Sequence, residues 1–181
     1  MTAGAAEVAD NGTVAAAVVQ GQGPPRSAGA AAGTAPMDDE NISEIALPGG
    51  CQCGGVRYEI RGRPVDLYVC HCRECRKQSA SAFGVSVIVR SADLFLVSGN
   101  PSVWTRPAAV GGSLACAFCP TCGSRVWHSD PDRDELISVK GGSLDEPPDL
   151  ATTRHIWTRR KLCGIVIPVG AEMHDEEPPM A

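Results

Sequence analysis

Short apolar runs rich in Val, Ile and aromatic residues recur through the middle of the chain, and Gly or Pro residues separate them. Runs bounded by turn residues are typical of β-strands, and no stretch keeps the 3.6-residue period of a long helix. Only residues 73–82 have room for a helical turn or two. The predicted strands are 56–60, 65–70, 83–89, 94–97, 103–105, 114–118, 125–128, 136–140, 155–158 and 165–168. The pattern predicts a mainly β domain of short antiparallel strands with little helix.

The two ends of the chain differ from this middle part. Residues 1–46 are rich in Ala, Gly and acidic side chains and contain no aromatic residue, and residues 169–181 are acidic and include Pro178 and Pro179. Segments with so little to bury cannot offset the entropy lost on ordering. We therefore predict disordered tails at 1–46 and 169–181, around a single domain at 47–168.

Charge and hydropathy argue against two classes of function. The chain has a formal charge of −5, and residues 48–170 carry 15 basic and 11 acidic side chains. That small excess is not the basic stripe of a nucleic-acid-binding protein, so we expect no nucleic-acid partner. No apolar run reaches the roughly 18 residues of a membrane helix, and the N-terminus lacks the features of a secretory signal. We expect a cytoplasmic protein with no membrane partner.

Nine cysteines are the main chemical feature of the chain. An odd number cannot pair completely in disulfides, and clustered cysteines in a reducing compartment indicate metal binding or catalysis. Cys116 is in phase at period two with Leu114 and Phe118, which indicates a small core residue, whereas Cys163 could be core, a free thiol or a ligand. The other seven form three groups: Cys51 and Cys53; Cys70, Cys72 and Cys75; Cys119 and Cys122.

The third group has the two-residue spacing of a zinc-ribbon turn, in which both thiolates point at one ion. Such a turn supplies two ligands, a structural zinc needs four, and Cys51 and Cys53 are the best partners for Cys119 and Cys122. A structural zinc contributes about 10–16 kcal/mol of apparent binding free energy, which is comparable to the whole stability of a domain. The alternative is a set of surface thiols in turns.

The middle group, Cys70, Cys72 and Cys75, offers three thiolates, which is the ligand number of a catalytic zinc with one open position. His71 could be a fourth ligand, although a residue between two ligands most simply points the other way. The alternative is a second, closed structural zinc, completed by one of three residues: His71, Cys116 or Cys163.

Together these motifs resemble the glutathione-dependent formaldehyde-activating (GFA) family and its centromere protein V-like zinc domains. The matching stretches are 50–58, 70–77 and 118–124, with a short motif at 155–159. The resemblance covers about residues 47–168 and implies a zinc-stapled β-tent fold. It also implies two zinc ions per chain, a structural one on Cys51, Cys53, Cys119 and Cys122 and a catalytic one on Cys70, Cys72 and Cys75.

The resemblance further implies a carbon–sulfur lyase, similar to S-(hydroxymethyl)glutathione synthase, that joins glutathione and formaldehyde. Zinc held by three thiolates is a poor activator of water but suits an incoming thiol, because zinc deprotonates coordinated sulfur. We therefore expect an enzyme that forms or cleaves a C–S bond between glutathione, or a similar thiol, and formaldehyde or another small aldehyde. The alternative is a non-catalytic, zinc-stabilised binding or scaffold module, since a fold does not determine a substrate.

Four further residues are candidates for this chemistry. Arg73, Arg76 and Lys77 adjoin the three-cysteine loop and could pair with the carboxylates of glutathione; the alternative is a basic turn that faces water. His155 is a candidate proton carrier from its position in the family motif and its ordinary pKa of about 6.5. The alternative for His155 is a core histidine bonded to backbone. Members of the family usually carry Trp where this chain has 162–164, so we expect a different pocket.

Overall fold

In a computed structural model of the chain, the residues described are 45–108 and 111–178. They form ten β-strands and one short α-helix, which confirms the prediction of a mainly β fold with little helix. The elements are β1 Ala46–Gly50, β2 Arg57–Arg61, β3 Asp66–Cys70, α1 Arg73–Ser79, β4 Gly84–Arg90, β5 Leu94–Ser98, β6 Ser102–Pro107, β7 Ser113–Phe118, β8 Arg125–Asp130, β9 Arg133–Lys140 and β10 Arg154–Ile156.

The strands form two sheets. The smaller sheet has the order β1-β2-β5, and the larger one has the order β10-β3-β4-β9-β8-β7-β6. Neighbouring strands are antiparallel except β10 and β3, which run parallel with His155 opposite Val69. A parallel pair needs a long crossover connection. Here that connection contains α1 and the strands from β4 to β9, because β3 ends at Cys70 and β10 begins at Arg154.

The observed and predicted strands differ at three places in the chain. β1 was not predicted, because its sequence of Ala, Leu, Pro and two Gly has little strand propensity; it forms by pairing with β2. The strand predicted at 155–158 ends at Ile156, since Trp157 has a left-handed backbone conformation with φ 58° and starts a 3₁₀ turn. The strand predicted at 165–168 is irregular.

The segment predicted as a C-terminal tail lies along β10 over part of its length. The amide of His155 donates to the carbonyl of Glu172 at 2.7 Å, and the amide of His174 donates to the carbonyl of His155 at 2.8 Å. An edge strand has unpaired backbone groups, and these bonds satisfy them despite the polar composition of the segment. The tail predicted at 1–46 lies outside the described residues except for its last two, and Ala46 begins β1.

The core lies between the two sheets. Tyr58 from β2 meets Trp127 from β8 edge to face, with ring centroids 5.7 Å apart. The buried Tyr58 hydroxyl is hydrogen-bonded to Ser143 Oγ at 2.7 Å. The larger sheet thus has one face against apolar side chains. The buried core cluster comprises Cys51, Val56, Tyr58, Ile60, Val87, Val89, Ala117, Cys119, Val126, Trp127 and Val139.

The opposite face of the larger sheet is more polar. Residues paired across neighbouring strands share a face, and the register joins Tyr68 to Ser86 and Ser86 to Lys140. In the same way Ser138 pairs with His128, and His128 pairs with Cys116. Because side chains alternate along a strand, Cys70 lies on this outer face with Tyr68. The thiol, hydroxyl, imidazole and amine side chains named here come from five strands, and they therefore face away from the core.

Gly99, just after β5, gives a test of this packing. Its φ is +85°, and a Cβ placed there would lie 2.0 Å from the carbonyl oxygen of Gly55, in the loop after Cys53. Gly164 has a similar φ of +89° with open space around it. We expect Gly164→Ala to cost about 1–2 kcal/mol from backbone conformation alone, and Gly99→Ala about 3 kcal/mol or more because the backbone must also move. Denaturant unfolding of the two variants measures the difference; equal losses would contradict the close packing.

Candidate metal centres and the adjoining cleft

The first thiol cluster joins two distant parts of the chain. Cys51 and Cys53 follow β1, and Cys119 and Cys122 lie in the turn between β7 and β8. Their four Sγ atoms all lie within 4.8 Å of one another. Cys51 Sγ is 3.5 Å from Cys53 Sγ, which is 3.7 Å from Cys119 Sγ. The structure brings together all four residues predicted for the structural site.

This geometry fits a tetrahedral ion. Zn–S bonds of about 2.3 Å in a tetrahedron place the sulfur atoms about 3.8 Å apart, close to the separations found here. The surroundings favour a thiolate at two of the four cysteines: the amide of Val56 donates to Cys51 Sγ at 3.1 Å, and Ser124 Oγ lies 3.3 Å from Cys122 Sγ. Hydrogen bonds from the Ser124 side chain and backbone lower the pKa of Cys122 to about 5. The residues present therefore suit a structural zinc.

The second thiol cluster lies where β3 ends and α1 begins. Cys70 is the last residue of β3, Cys72 is the N-cap of α1 and Cys75 is in its first turn. Their Sγ atoms lie within 4.8 Å of one another, and the amide of Cys75 donates to Cys72 Sγ at 3.3 Å. Hydrogen bonds from the Cys70 and Cys75 thiols lower the pKa of Cys72. A thiolate is also stabilised at a helix N-terminus. This donor set also fits zinc.

Gly84 at the start of β4 allows α1 to pack closely on the sheet. A Cβ at this position would lie 3.1 Å from Cys75 Cβ, tighter than an ordinary van der Waals contact. The absence of a side chain lets the first turn of α1 rest directly over β4, which pairs with β3 and so with Cys70. The strand end and the helix are thereby held at the separation that the thiol cluster needs.

His71 does not join the three thiols. Among the described residues, no other His, Cys, Asp or Glu offers a ligand atom within 4.8 Å of all three sulfur atoms. His71 follows Cys70 directly and is fully buried, and its Nε2 lies 2.9 Å from His155 Nδ1. Cys116 is buried in β7, where Gln78 Nε2 donates to its Sγ at 3.6 Å, and Cys163 is exposed. Each residue considered as a fourth ligand is therefore placed elsewhere, and a tetrahedral ion held by the three thiols would have no fourth ligand among the described residues.

His155, the predicted proton carrier, is buried and contacts His71. It is 5 % exposed, stacks on His71 with ring centroids 5.2 Å apart, and its Nε2 is buried without a hydrogen-bond partner. Because β10 pairs with β3 in parallel, His155 lies opposite Val69 and on the other face of the sheet from Cys70. Burial lowers the pKa of His155. Its contact with His71 supports the residue that follows Cys70, and a role in proton transfer stays a prediction.

The basic residues predicted for carboxylate binding have their own recess. Arg73, Arg76 and Lys77 line a shallow depression of about 380 Å³ with Ala80 and Ser81, along α1. They do not line the larger cleft described next. The structure therefore brings the three together near the thiol loop, in a recess that adjoins the cleft lined by Cys75 and shares Ala80 and Ser81 with it.

The larger cleft, of about 800 Å³, runs between the two thiol clusters. Cys75 lines one part of it and Cys122 lines another, and Phe83 from the segment before β4 also contributes. Sequence reasoning did not find three of its polar residues: Gln78, Arg125 and Lys140. For Lys140 a pattern was available, since Leu136, Ser138 and Lys140 alternate with buried positions along the predicted strand.

Lys140 and His128 form a close polar pair on the outer face of the sheet. Lys140 Nζ donates to His128 Nδ1 at 2.6 Å, which requires a neutral imidazole. Burial lowers the pKa of His128 well below its ordinary value, and the nearby charges of Lys140, Arg106 and Arg125 lower it further. Burial also lowers the pKa of Lys140, whereas Cys75 and Cys116 raise it. The amine is therefore within the electrostatic reach of the three-thiol cluster.

With two sheets and two cysteine clusters described, the chain is a mainly β protein in which each thiol cluster could hold a metal ion. A model of the glutathione-dependent formaldehyde-activating enzyme family matches residues 46–160. That match spans more than half of the chain. The chain therefore belongs to the GFA family, which confirms the resemblance noted in its motifs.

Two individual proteins are similar to the chain. A Halomonas elongata protein, provisionally named a glutathione-dependent formaldehyde-activating enzyme, is 28 % identical over 113 residues, which are 58 % of this chain and 72 % of that protein. A crystal structure of a Rhodobacter sphaeroides protein has a TM-score of 0.48 and 25 % identity, and covers 60 % of this chain and 99 % of that one. Within the described ranges, no helix is both long and apolar enough to cross a membrane.

The two thiol clusters should respond differently to mutation. Cys119→Ser removes a ligand from the cluster that joins the β1 end to the β7–β8 turn, so we expect loss of the folded domain or a large fall in melting temperature. Cys72→Ser alters only the loop at one sheet edge, so we expect a folded protein. Metal analysis should find two zinc ions in the unaltered chain and one in Cys72→Ser. Equal melting losses would indicate two structural sites instead.

His128 should make folding sensitive to acid. Its folded pKa is depressed, so it takes up a proton on unfolding, and stability is lost as pH falls below about 6.5 towards the folded value. His128→Gln removes that uptake. The difference in unfolding free energy between the unaltered protein and the variant should shrink by up to about 1.4 kcal/mol per pH unit between pH 6.5 and 5. A difference that does not change with pH would contradict a buried neutral His128.

Proposed function

We propose that the chain is a zinc-dependent enzyme of the carbon–sulfur lyase type that joins the thiol of glutathione, or a similar thiol, to formaldehyde or another small aldehyde. The observation that carries this proposal is the set of three converging thiols, Cys70, Cys72 and Cys75, without a fourth ligand in the described residues. Cys75 also lines a cleft large enough for a small peptide thiol. Membership of the GFA family supports the same reaction.

Two zinc ions per chain are part of the proposal. Cys51, Cys53, Cys119 and Cys122 would hold a structural ion with all four positions filled. Cys70, Cys72 and Cys75 would hold a second ion with one position free. Bound there, zinc would supply the positive charge that keeps a substrate thiol in its thiolate form near neutral pH.

The chemistry itself is a simple addition. The sulfur lone pair forms the new C–S bond, the carbonyl π pair moves to oxygen, and the proton of the thiol ends on that oxygen to give a hydroxymethyl thioether. The reverse reaction cleaves the C–S bond. The protein contributes by holding both reactants in the cleft, which converts an encounter in solution into a reaction between neighbours.

The residues around the thiol loop would keep it in position. The contact between His71 and His155 fixes the backbone behind the loop, and the capping bond from Cys75 to Cys72 fixes its front. Neither histidine needs to transfer a proton in this scheme. A cytoplasmic location and the lack of a nucleic-acid or membrane partner remain predictions from the sequence.

A titration with both substrates tests the proposal. Zinc-loaded protein is mixed with glutathione and formaldehyde, and exchange between free and adduct formaldehyde is followed by NMR. We expect exchange faster than the spontaneous rate by at least tenfold, with the increase lost in Cys72→Ser. Glutathione should also change the absorption of the cobalt-substituted protein. An exchange rate equal to the spontaneous one, with an unchanged cobalt spectrum, would favour a non-catalytic binding module.

A further inference from the structure

Three cations gather on the outer face of the larger sheet without an acidic partner. Arg106 on β6, Arg125 on β8 and Lys140 on β9 each lie more than 4.0 Å from every carboxylate among the described side chains. By contrast Arg57 and Arg154 form ion pairs with acids. Partly buried cations without a counter-charge are costly, so their grouping indicates a missing anion.

The contacts of these cations are neutral. Lys140 Nζ donates to His128, and Arg125 Nη2 donates to Gln78 Oε1 at 3.4 Å, a long hydrogen bond. The Nε atoms of Arg106 and Arg125 are buried and have no hydrogen-bond partner. Unsatisfied donors of a buried guanidinium carry a desolvation penalty, which an anionic acceptor would relieve.

Two of the three cations reach the larger cleft. Arg125 and Lys140 line it together with Gln78 and Cys75, whereas Arg106 does not line it. An anionic acceptor bound in this cleft would therefore meet the Arg125 guanidinium, the Lys140 amine and the Gln78 amide together.

We propose that Lys140 and Arg125, with Gln78, form a subsite for a carboxylate of the thiol substrate, and that the cleft thereby selects anionic thiols over neutral ones. This proposal rests on the function proposed above, because it names the substrate group that the same cleft recognises. It assigns carboxylate recognition to β8 and β9 rather than to the predicted Arg73, Arg76 and Lys77, which line the adjoining recess and not the cleft itself.

Two probes separate the subsite from the thiol chemistry. S-methylglutathione carries the carboxylates of glutathione but no free thiol, and 3-mercapto-1-propanol carries a thiol but no charge. Each is titrated into zinc-loaded protein by calorimetry. The variants are Lys140→Met and Arg125→Gln, with Arg133→Gln as the matched control, since Arg133 is an exposed cation on the same strand. Circular dichroism and zinc content verify each variant.

We expect Lys140→Met to weaken S-methylglutathione binding about tenfold, or about 1.4 kcal/mol, with a similar effect from Arg125→Gln and none from Arg133→Gln. Binding of the neutral thiol should change less than twofold. If Lys140→Met does not fold, the affinity of Arg125→Gln for S-methylglutathione, compared with that of Arg133→Gln, tests the subsite by itself.

Equal binding of S-methylglutathione by Arg125→Gln and Arg133→Gln would overturn the subsite. So would a Lys140→Met protein that loses zinc but keeps its affinity for S-methylglutathione, since Lys140 would then be only the counter-charge of the metal site. A different result would contradict the proposed function and leave the subsite intact. In that result the neutral thiol neither binds nor changes the cobalt spectrum, while Arg125→Gln still binds S-methylglutathione more weakly than Arg133→Gln does.

Discussion

The alternation of side chains at the end of β3 determines where the chemistry of this protein lies. Val69 points into the core, Cys70 points to the outer face, and His71 points back towards His155. A shift of one residue would move the thiol to the core face and the histidine to the outer face. The pairing of β3 with β4 on one side and with β10 on the other prevents such a shift. The grouping of three thiols without His71 follows from this register.

The two faces of the larger sheet carry different kinds of side chain. One face carries the aliphatic residues and Trp127 that pack against the smaller sheet, and the other carries thiols, an amine and guanidinium groups. The two faces are coupled at the four-thiol cluster, where Cys51 and Cys119 belong to the buried core cluster, and where Cys51 and Cys122 line the cleft. A change in the core can thus move one wall of the cleft through these cysteines.

Features that depend on neighbours in sequence could be predicted, and features that depend on register could not. The three cysteine groups follow from spacings of one or two residues, which act within a single turn, and the joining of two of them into a four-thiol set follows from the four ligands that a structural zinc needs. Lys140 and Arg125 come together with Gln78 only because β4, β8 and β9 are adjacent and α1 lies across them. The contact of His155 with His71 requires parallel pairing across 84 residues, which no local pattern encodes. β1 likewise forms from its partner strand rather than from its own composition.

The parallel strand β10 has a consequence for the order in which the molecule is completed. It is the last of the described strands, and it covers the free edge of β3 beside the thiol loop. Until residues 154–156 leave the ribosome, the nascent domain has every cysteine of both clusters but no backing for the loop that holds three of them. The strand contact behind the three-thiol loop is therefore the last one that synthesis makes available to the larger sheet.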